Sequence, residues 1–407
     1  MSEHTQRAEA RADTAIRPFR AEIPQADLDD LAARLAATRW AGELPPDPDE
    51  PPGFTPPGWA YGVPLEYLRR LVGYWRDGFD WRLAVEARLN AYPQFTTAID
   101  GQNVHFLHVR SAEPGAFPLI LTHGWPNSVL EYLGLIGPLT DPAAHGGACE
   151  DAFDLVIPSV PGFGFSGPTR ERGWNRYRTA AAWAELMRRL GYGRYGAHGN
   201  DLGAYVAPEV GRLDPEHVAG VHVTQLYSFP SGDPAELAGI TEQEAGYLRF
   251  LQAFNDEMSG YARLQETKPQ NVAHALADSP AGQLAWSAHL LAATPDEHVI
   301  ANAALYWLTN TAASAARFYY EDRHATAAPS GPTTVPTGLA SFANDFRPLR
   351  RLAERDHANI GSWNEYETGS HWAAQDAPGV LADDIRGFFR KLRGLPRSAS
   401  RAEPRHA

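Results

Sequence analysis

Cysteine is almost missing from this sequence. Cys149 is the single cysteine among 407 residues. One thiol cannot form an intramolecular disulfide, and it excludes a metal site built from several cysteines. A reducing compartment fits this composition, so we expect a cytoplasmic protein.

Positive charge is also scarce. The chain has 36 Lys and Arg against 49 Asp and Glu, which gives a formal net charge of −13. An acidic chain lacks the basic footprint that binds nucleic acid or an anionic membrane surface. We therefore expect neither nucleic acid nor a membrane as a partner. The sequence is compatible with a homodimer.

Long apolar runs are absent too. The sequence has no stretch of about 18 apolar residues, which a membrane-spanning helix requires. The first 20 residues are charged and lack the apolar region of a secretory signal. No membrane span and no secretory signal are expected, and the richness in Ala and Arg is typical of a GC-rich bacterial genome.

Aromatic residues, by contrast, are abundant. The chain has 11 Trp, 16 Tyr and 17 Phe, side chains that fill cores and also line pockets for apolar small molecules. A chain of this length can bury a large core. We expect one composite catalytic domain with insertions, or two domains.

Strand and helix patterns alternate in the middle of the chain. Short, continuously apolar runs at Pro118–Thr122 and Phe153–Pro158 predict strands covered on both faces, and hence a parallel sheet. A helix over about 178–190 leads to a further strand near Tyr195–His198, which is βαβ order. Asp100-Gly101 marks a hairpin before these strands.

The flanking segments are mostly helical. A helical insertion from about 227 to 325 is predicted to interrupt the sheet. The other predictions are helices at Ala26–Trp40, Leu65–Trp75 and Ala382–Leu392, strands at Val221–Leu226 and Thr333–Phe342, and an extended loop at Pro45–Pro57.

The most informative motif is Gly199-Asn200-Asp201-Leu202-Gly203, which lies between a predicted strand and a predicted helix. This is the context of a nucleophile elbow, but the nucleophile position holds a carboxylate instead of a serine. A serine would form an acyl-enzyme, whereas an aspartate attacks an sp³ carbon and itself becomes an ester. Asp201 therefore indicates a substrate with a strained bond or a good leaving group.

Hydrolysis of such an ester needs a base, and the base needs an acid that orients it. Enzymes with this elbow have the order nucleophile, acid, histidine. His371 follows the last predicted strand and precedes the terminal helix, so we assign it as the base. Asp345 follows the strand after the insertion and is the predicted acid, with Glu365 and Glu367 as alternatives.

An anion-binding turn is predicted at His123-Gly124-Trp125-Pro126, directly after an apolar strand. Glycine permits a tight turn there, and backbone amides can face a developing negative charge. The amides of Trp125 and Leu202 are the predicted oxyanion hole for a tetrahedral intermediate on Asp201.

With these motifs the chain resembles epoxide hydrolases of the microsomal type within the α/β-hydrolase superfamily, over residues 16 to 393. The resemblance implies an α/β-hydrolase fold with a mostly parallel sheet, a helical lid insertion and an N-terminal wrapping extension. Leu202 stands where many relatives have tryptophan, and Asp345 where some have glutamate.

The same resemblance implies two lid tyrosines that donate hydrogen bonds to the epoxide oxygen. Gly260-Tyr261-Ala262-Arg263-Leu264-Gln265 and Arg317-Phe318-Tyr319 match the two motifs, which gives Tyr261 and Tyr319. Tyr306 and Tyr320 are neighbours that could be confused with the second. A phenol of unperturbed pKa near ~10 is protonated at neutral pH and can stabilise the alkoxide.

The expected function is conversion of an epoxide and water to a vicinal diol, with no metal and no cofactor. The substrate is expected to be apolar or aryl-substituted. Bacterial relatives range from xenobiotic detoxification to natural-product biosynthesis, including enediynes. The alternatives are a dehalogenase with the same Asp nucleophile, which needs a halide site and no proton donor, and a non-catalytic binding protein of the same fold.

The expected organisation has five parts. They are an N-terminal extension of the epoxide hydrolase type at 1–94, the first part of the core at 95–226, a helical lid at 227–330, the second part of the core at 331–394 and a flexible tail at 395–407.

Overall fold

The computed structural model describes residues 14–45, 57–326 and 329–396. Most of the predicted loop at Pro45–Pro57 and most of the predicted tail at 395–407 lie outside these residues. Among the described residues, no helix is long and apolar enough to cross a membrane.

A single nine-stranded sheet forms the centre of the molecule, in the order β1-β2-β3-β5-β4-β6-β7-β8-β9. The first four strands in this order pair antiparallel, and the pairs from β5 to β9 are all parallel. The strands are β1 Arg17–Phe19, β2 Gln94–Ile99, β3 Gln102–Val109, β4 Phe117–Thr122, β5 Phe153–Pro158, β6 Tyr195–Gly199, β7 Val218–Val223, β8 Thr337–Ser341 and β9 Ile360–Glu365.

Helices precede, cover and interrupt the sheet. Before and around the first strands of the core are α1 Gln25–Ala36, α2 Leu65–Asp77, a π-helical segment Arg82–Ala87 continued by α3 Arg88–Asn90, and α4 Leu133–Thr140. Between β5 and β7 are α5 Arg176–Arg189 and α6 Leu202–Leu213.

The insertion between β7 and β8 is helical, as predicted. It contains α7 Glu242–Ala253, a π-helical segment Phe254–Met258, α8 Gly260–Thr267, α9 Pro269–Asp278, α10 Pro280–Leu291, α11 Asp296–Leu308 and α12 Ala312–Arg323. The chain then forms α13 Arg350–Asp356, α14 Ala373–Asp376 and α15 Pro378–Leu392.

Local sequence explains several helix starts. The Asn175 side chain accepts hydrogen bonds from the amides of Tyr177 and Arg178 and so begins α5. Thr241 and Glu244 form a capping box at the start of α7. Pro378 occupies the first turn of α15, where its missing N–H costs nothing, so this helix begins four residues before the prediction.

The core has two parts, one on each face of the sheet. One buried cluster includes Leu186 of α5 and Val206 of α6, and the other includes Ile136 of α4 and Ile385 of α15. The central strands are therefore covered on both faces, which is why β4 and β5 have continuously apolar sequences.

Several elements differ from the prediction, and the first helix ends at Ala36 instead of Trp40. Neither β1 nor β9 was predicted, because β1 has three residues and β9 is a partly exposed edge strand without a regular apolar pattern. His371 therefore follows β9 and not the strand around 333–342, of which only Thr337–Ser341 is extended. The seventh strand also ends at Val223, and the buried Leu226 that extended the apolar pattern lies beyond it.

The N-terminal segment lies against both the sheet and the insertion. Strand β1 pairs with β2 through Arg17 and Thr96. Farther along, the Arg34 guanidinium donates to the Asp278 carboxylate at 3.0 Å, and α2 contacts the insertion through the Arg70–Asp296 ion pair.

Candidate active site

The candidate site lies where the parallel strands end. In parallel strands the carboxyl ends share one edge of the sheet, which is where ligands bind in open α/β folds. The segments that follow β4, β6, β8 and β9 carry Trp125, Asp201, Asp345 and His371 to this edge.

Asp201 occupies the sharp turn between β6 and α6. Its backbone has φ 52° and ψ −117°, a conformation that non-glycine residues rarely adopt. The turn packs closely on β4: a Cβ added to Gly203 would lie 1.8 Å from the Thr122 carbonyl oxygen, and one added to Gly199 would lie 2.0 Å from the Gly203 carbonyl oxygen. Small residues on both sides of Asp201 are therefore a steric requirement.

The loop after β4 contacts the Asp201 carboxylate directly. The Trp125 amide donates to Asp201 Oδ1 at 2.8 Å. A Cβ added to Gly124 would lie 2.3 Å from the Asp201 Cβ, so this loop also needs glycine for close approach. Leu202 begins α6, where a first-turn amide has no acceptor within the helix and is free to bind an anion.

His371 lies between the two aspartates. Its Nε2 is 3.3 Å from Asp201 Oδ2, and its Nδ1 is 3.0 Å from Asp345 Oδ1. The two glutamates considered as alternative acids point elsewhere: Glu365 pairs with Arg347 at 2.7 Å, and the Glu367 side chain is 91% exposed.

The charge state of His371 follows from these neighbours. Burial opposes its positive charge, but the Asp345 carboxylate and the hydrogen bonds to Asp201 and Asp345 outweigh burial and hold the pKa of His371 well above its usual value. The imidazole therefore binds a proton tightly while both carboxylates are ionised.

Tyr261 and Tyr319 come from α8 and α12 and meet above Trp125. The Tyr261 ring stacks on Trp125 with ring centroids 5.3 Å apart. The Tyr319 ring is nearly perpendicular to the Tyr261 ring, and the centroids of these two rings are 6.2 Å apart. Burial, with the nearby Asp201 charge, raises the pKa of both tyrosines well above the usual value. Both phenols therefore remain hydrogen-bond donors.

The two neighbouring tyrosines are engaged differently. The Tyr306 hydroxyl donates to the Asn127 carbonyl oxygen at 2.7 Å, and its ring is buried away from the cavity. Tyr320 is 37% exposed and stacks on His324. Of the three tyrosines near this motif, Tyr319 is the one that faces Asp201 across the cavity.

A cavity of about 600 Å³ opens above Asp201 and His371. Its wall includes the ion pair between Arg176 and Asp322 and the pair between Arg323 and Glu266. Most of the remaining wall is apolar, and its aromatic members are Tyr205, Tyr227, Phe229, Phe250, Phe254, Tyr261, Phe318, Tyr319, Phe346 and Trp372.

Three buried polar residues beside the site were given no functional role by the sequence analysis. Gln225 follows β7 and hydrogen-bonds to both Asp201 and Asp345, Asn200 precedes Asp201, and Glu131 lies below the loop of Trp125. A polar Thr224-Gln225 pair inside an otherwise apolar stretch was the available signal. Within the described residues, no group of three or more His, Cys, Asp or Glu side chains could hold a metal ion.

Two family models match the chain. The model described as "Epoxide hydrolase N terminus" matches residues 16–132, and the model described as "alpha/beta hydrolase fold" matches residues 118–335. The chain is also 44% identical to a provisionally named epoxide hydrolase of Stigmatella aurantiaca, over 93% of this chain and 86% of the relative. The chain belongs to the epoxide hydrolase family.

Further relatives agree. Epoxide hydrolase 1 of Sus scrofa is 33% identical over 94% of this chain and 90% of its own length. The juvenile hormone epoxide hydrolase of Bombyx mori superposes with a TM-score of 0.81 at 25% identity, covering 94% of this chain and 96% of that one. The Aspergillus niger epoxide hydrolase superposes with a TM-score of 0.79 at 28% identity, covering 94% and 98%. Family membership favours epoxide hydrolysis over the dehalogenase and the non-catalytic alternatives.

Proposed function

We propose that this epoxide hydrolase works through a covalent ester on Asp201 and releases a vicinal diol. The observation that carries the proposal is the position of the Asp201 carboxylate. Its Oδ1 accepts the Trp125 amide at 2.8 Å, while the residue lines the cavity. With one oxygen held, Oδ2 is the oxygen that attacks a ring carbon of the epoxide.

Ring opening expels a strongly basic alkoxide, so the leaving oxygen needs a donor. The phenols of Tyr261 and Tyr319 face the same cavity as Asp201 and stay protonated, because burial raises the pKa of each. We assign both as donors to the epoxide oxygen, with the proton transferred to that oxygen as the carbon–oxygen bond breaks.

Hydrolysis of the ester falls to His371 and Asp345. Esterification neutralises Asp201 and so removes one of the two charges that raise the pKa of His371. The imidazolium can then return a proton to the tyrosine that protonated the epoxide oxygen. The neutral imidazole takes a proton from the water that attacks the Asp201 carbonyl, and the diol oxygen that leaves Asp201 keeps the proton that the added water oxygen gives up. The Trp125 and Leu202 amides would stabilise the oxyanion, and Asp345 would hold the imidazole.

The cavity supports an apolar or aryl-substituted substrate. Tyr205, Tyr227 and Phe346 stack in a column on one wall, with centroids 4.0 Å and 5.2 Å apart. The edge of such a column suits an edge-to-face contact with an arene. The relative from Bombyx mori is named for juvenile hormone, and for this chain we propose an aryl epoxide as the first substrate to test.

The test is a single turnover with excess enzyme and styrene oxide in ¹⁸O-labelled water, followed by mass spectrometry of the diol and of the peptide that contains Asp201. We expect an unlabelled first diol and one labelled oxygen in Asp201. The oxygen added to the epoxide comes from Asp201 Oδ2, and an oxygen from water then replaces it in the carboxylate. Label that enters the first diol directly would mean attack by water and would overturn the covalent route.

The proposal includes the organisation of the chain. We assign residues 1–94 to the extension, 95–226 and 331–394 to the core and 227–330 to the lid, and we propose a cytoplasmic enzyme that is a monomer or homodimer. The acidic charge and the single cysteine support the location. Sedimentation of the purified chain and fractionation of the cells that produce it test the assembly and the location.

A further inference from the structure

Gln225 lies two residues beyond the end of β7 and is fully buried. Its Oε1 accepts a hydrogen bond from the Asp201 amide at 2.9 Å and lies 2.9 Å from the Thr224 hydroxyl, whose proton it shares with Asn200 Oδ1. Its Nε2 donates to Asn200 Oδ1 at 2.9 Å and to Asp345 Oδ2 at 2.6 Å. A carboxamide has two N–H groups and two lone pairs, so every hydrogen-bonding position of Gln225 is used.

These partners determine which way the amide points. The Asp201 amide can only donate, and the Asp345 carboxylate can only accept. A flipped carboxamide would set donor against donor and acceptor against acceptor. Gln225 thus links the backbone of the nucleophile to the acid through one side chain.

The bond to Asp345 constrains the plane of that carboxylate. Asp345 Oδ1 is 3.0 Å from His371 Nδ1 and accepts the Phe346 amide at 2.8 Å. Without a second partner on Oδ2, the carboxylate could rotate about its Cβ–Cγ bond. The charge-assisted bond from Gln225 restrains this rotation and keeps Oδ1 towards the imidazole.

The same side chain is connected to the loop that carries Trp125. Asn200, which accepts from Gln225, donates to Glu131 Oε1 at 2.9 Å. Glu131 Oε2 accepts the Gly124 amide at 3.3 Å, one residue before Trp125. Gln225, Asn200 and Glu131 are at most 2% exposed, and in such a low-dielectric setting a fully bonded network is rigid.

We propose that Gln225 is a positioning residue for the second half-reaction, because it holds Asp345 in the plane from which His371 is oriented to activate water. This inference rests on the proposed function. The first half-reaction needs the Asp201 carboxylate and the two tyrosines but no base. Loss of Gln225 is therefore expected to affect ester hydrolysis more than ester formation.

The experiment follows both half-reactions in the full chain, by rapid quenching of single turnovers with styrene oxide and intact-protein mass spectrometry. In Gln225→Leu we expect the ester to form within about threefold of the wild-type rate and to decay at least ~10-fold more slowly, because misplaced groups lose orientation. Gln283→Leu is the matched control. Gln283 is also buried, but it lies on α10 and donates to Ser287, so its loss should leave the ratio of the two rates unchanged.

Gln225→Glu is the second variant and preserves the shape of the side chain. The introduced carboxyl would face the Asp201 backbone amide and the Asp345 carboxylate, with His371 and Glu131 one hydrogen-bonded residue farther away. When protonated, it can still accept from the Asp201 amide and donate to Asp345; when ionised, it repels Asp345. Its rate of ester decay relative to wild type should therefore fall as pH rises, which loss of packing alone would not cause.

The outcomes separate the two proposals. If the wild-type enzyme forms no ester on Asp201, the proposed function fails and this inference fails with it. If the wild-type ester forms but decays equally fast in both Gln225 variants at every pH, only the positioning role is overturned. Equal slowing of formation and decay in both variants would also overturn it, because the effect would not be selective for hydrolysis.

Discussion

At the residue scale, the candidate site depends on an aspartate in an unusual backbone conformation. The positive φ of Asp201 costs on the order of 1–3 kcal/mol. Its amide donates to Gln225 Oε1 at 2.9 Å, and its Oδ1 accepts from the Trp125 amide at 2.8 Å. The Trp125 amide therefore holds the carboxylate in place, and both hydrogen bonds offset the strain of the turn.

Replacement of the base should separate the two half-reactions. In His371→Gln we expect the ester on Asp201 to form but to persist, because no group takes the proton from water. The turnover rate should fall by about 10²–10⁴-fold, the usual contribution of a general base. Intact-protein mass spectrometry after mixing with styrene oxide should show one added substrate per chain. Normal turnover in this variant would contradict the assignment of the base.

The lid tyrosines should control ester formation instead. In Tyr261→Phe and Tyr319→Phe we expect the alkylation rate to fall by about 10²-fold or more, because the alkoxide loses a donor, with stopped-flow tryptophan fluorescence as the measurement. Tyr320→Phe is the control, since Tyr320 is the neighbour that is partly exposed and stacks on His324. Full activity in a variant with both lid changes would rule out their role as donors.

At the element scale, helix α15 packs unusually close to the sheet. A Cβ added to Gly220 of β7 would lie 2.4 Å from Leu392 Cδ1, and one added to Gly338 of β8 would lie 2.7 Å from Phe388 Cδ2. Glycines in the central strands therefore make room for the large side chains of the terminal helix. Regular apolar spacing predicted this helix, but the sequence pattern did not reveal the close approach.

Gly220→Ala should destabilise the protein by about 1–3 kcal/mol, because the added methyl group overpacks the contact with α15. Gly387→Ala, in α15 itself, is the control. Gly387 is exposed, and a Cβ added there would have no atom within 4 Å. That change should stabilise the helix by up to about 1 kcal/mol. Urea unfolding measures both free energies, and a similar effect of the two substitutions would contradict the packing argument.

Several elements show why strands at the sheet edge are harder to predict than central ones. The central strands β4 and β5 are covered on both faces and have continuous apolar runs, so they were predicted within one residue. Strand β9 lies at the edge, and its residues are mostly exposed or half-buried. Its sequence, Ile-Gly-Ser-Trp-Asn-Glu, has no periodic signal because only its pairing with β8 makes it a strand.

At the scale of the whole molecule, buried histidines couple stability to pH. Burial lowers the pKa of His105 to about 3 and those of His123, His298 and His357 to about 4. In the unfolded chain each would bind a proton near pH ~6.5. Below that pH the unfolded state therefore binds more protons at these positions, and stability is lost as pH falls.

Four acidic or histidine side chains act in the opposite direction, and two of them are Glu209, whose pKa is raised by burial, and His217, whose pKa is raised by Asp214. Burial raises the pKa of Glu131 to about 8, and the neighbouring carboxylates raise the pKa of His371 against the effect of burial. For each group, the contribution to folding stability is fully present below the pKa of the unfolded state. That contribution is lost as pH rises through the pKa of the folded state.

Burial also lowers the pKa of His108 and of His198, so six buried histidines oppose these four groups below pH ~6.5. We therefore expect the free energy of unfolding to be greatest near neutral pH.

His105→Gln tests this coupling. Glutamine can hydrogen-bond to Ser159 and Gln94, which now contact the imidazole at 2.9 Å and 3.0 Å, but it cannot take up a proton. Between pH 7 and pH 5 the variant should lose about 1–2 kcal/mol less stability than the wild type. Urea unfolding at the two pH values checks this. An equal loss in both proteins would mean that His105 does not contribute to acid destabilisation.

The sequence alone determined what short segments of chain can encode. Apolar periodicity predicted the central strands and the helical insertion, and the small residues around a carboxylate predicted an elbow with Asp201 as its candidate nucleophile. The positions of Asp345 and His371 followed from chain order, because the elbow limits where an acid and a base can come. The two tyrosines followed from family motifs.

The tertiary structure decided what depends on distant segments meeting. It favoured Tyr319 over Tyr306 and Tyr320, since all three lie on helices of the insertion and only the packing of those helices shows which phenol faces the cavity. It also placed Gln225 against Asp345, which is 120 positions away along the chain. No local pattern encodes such a pair, because the register of neighbouring strands brings the two residues together.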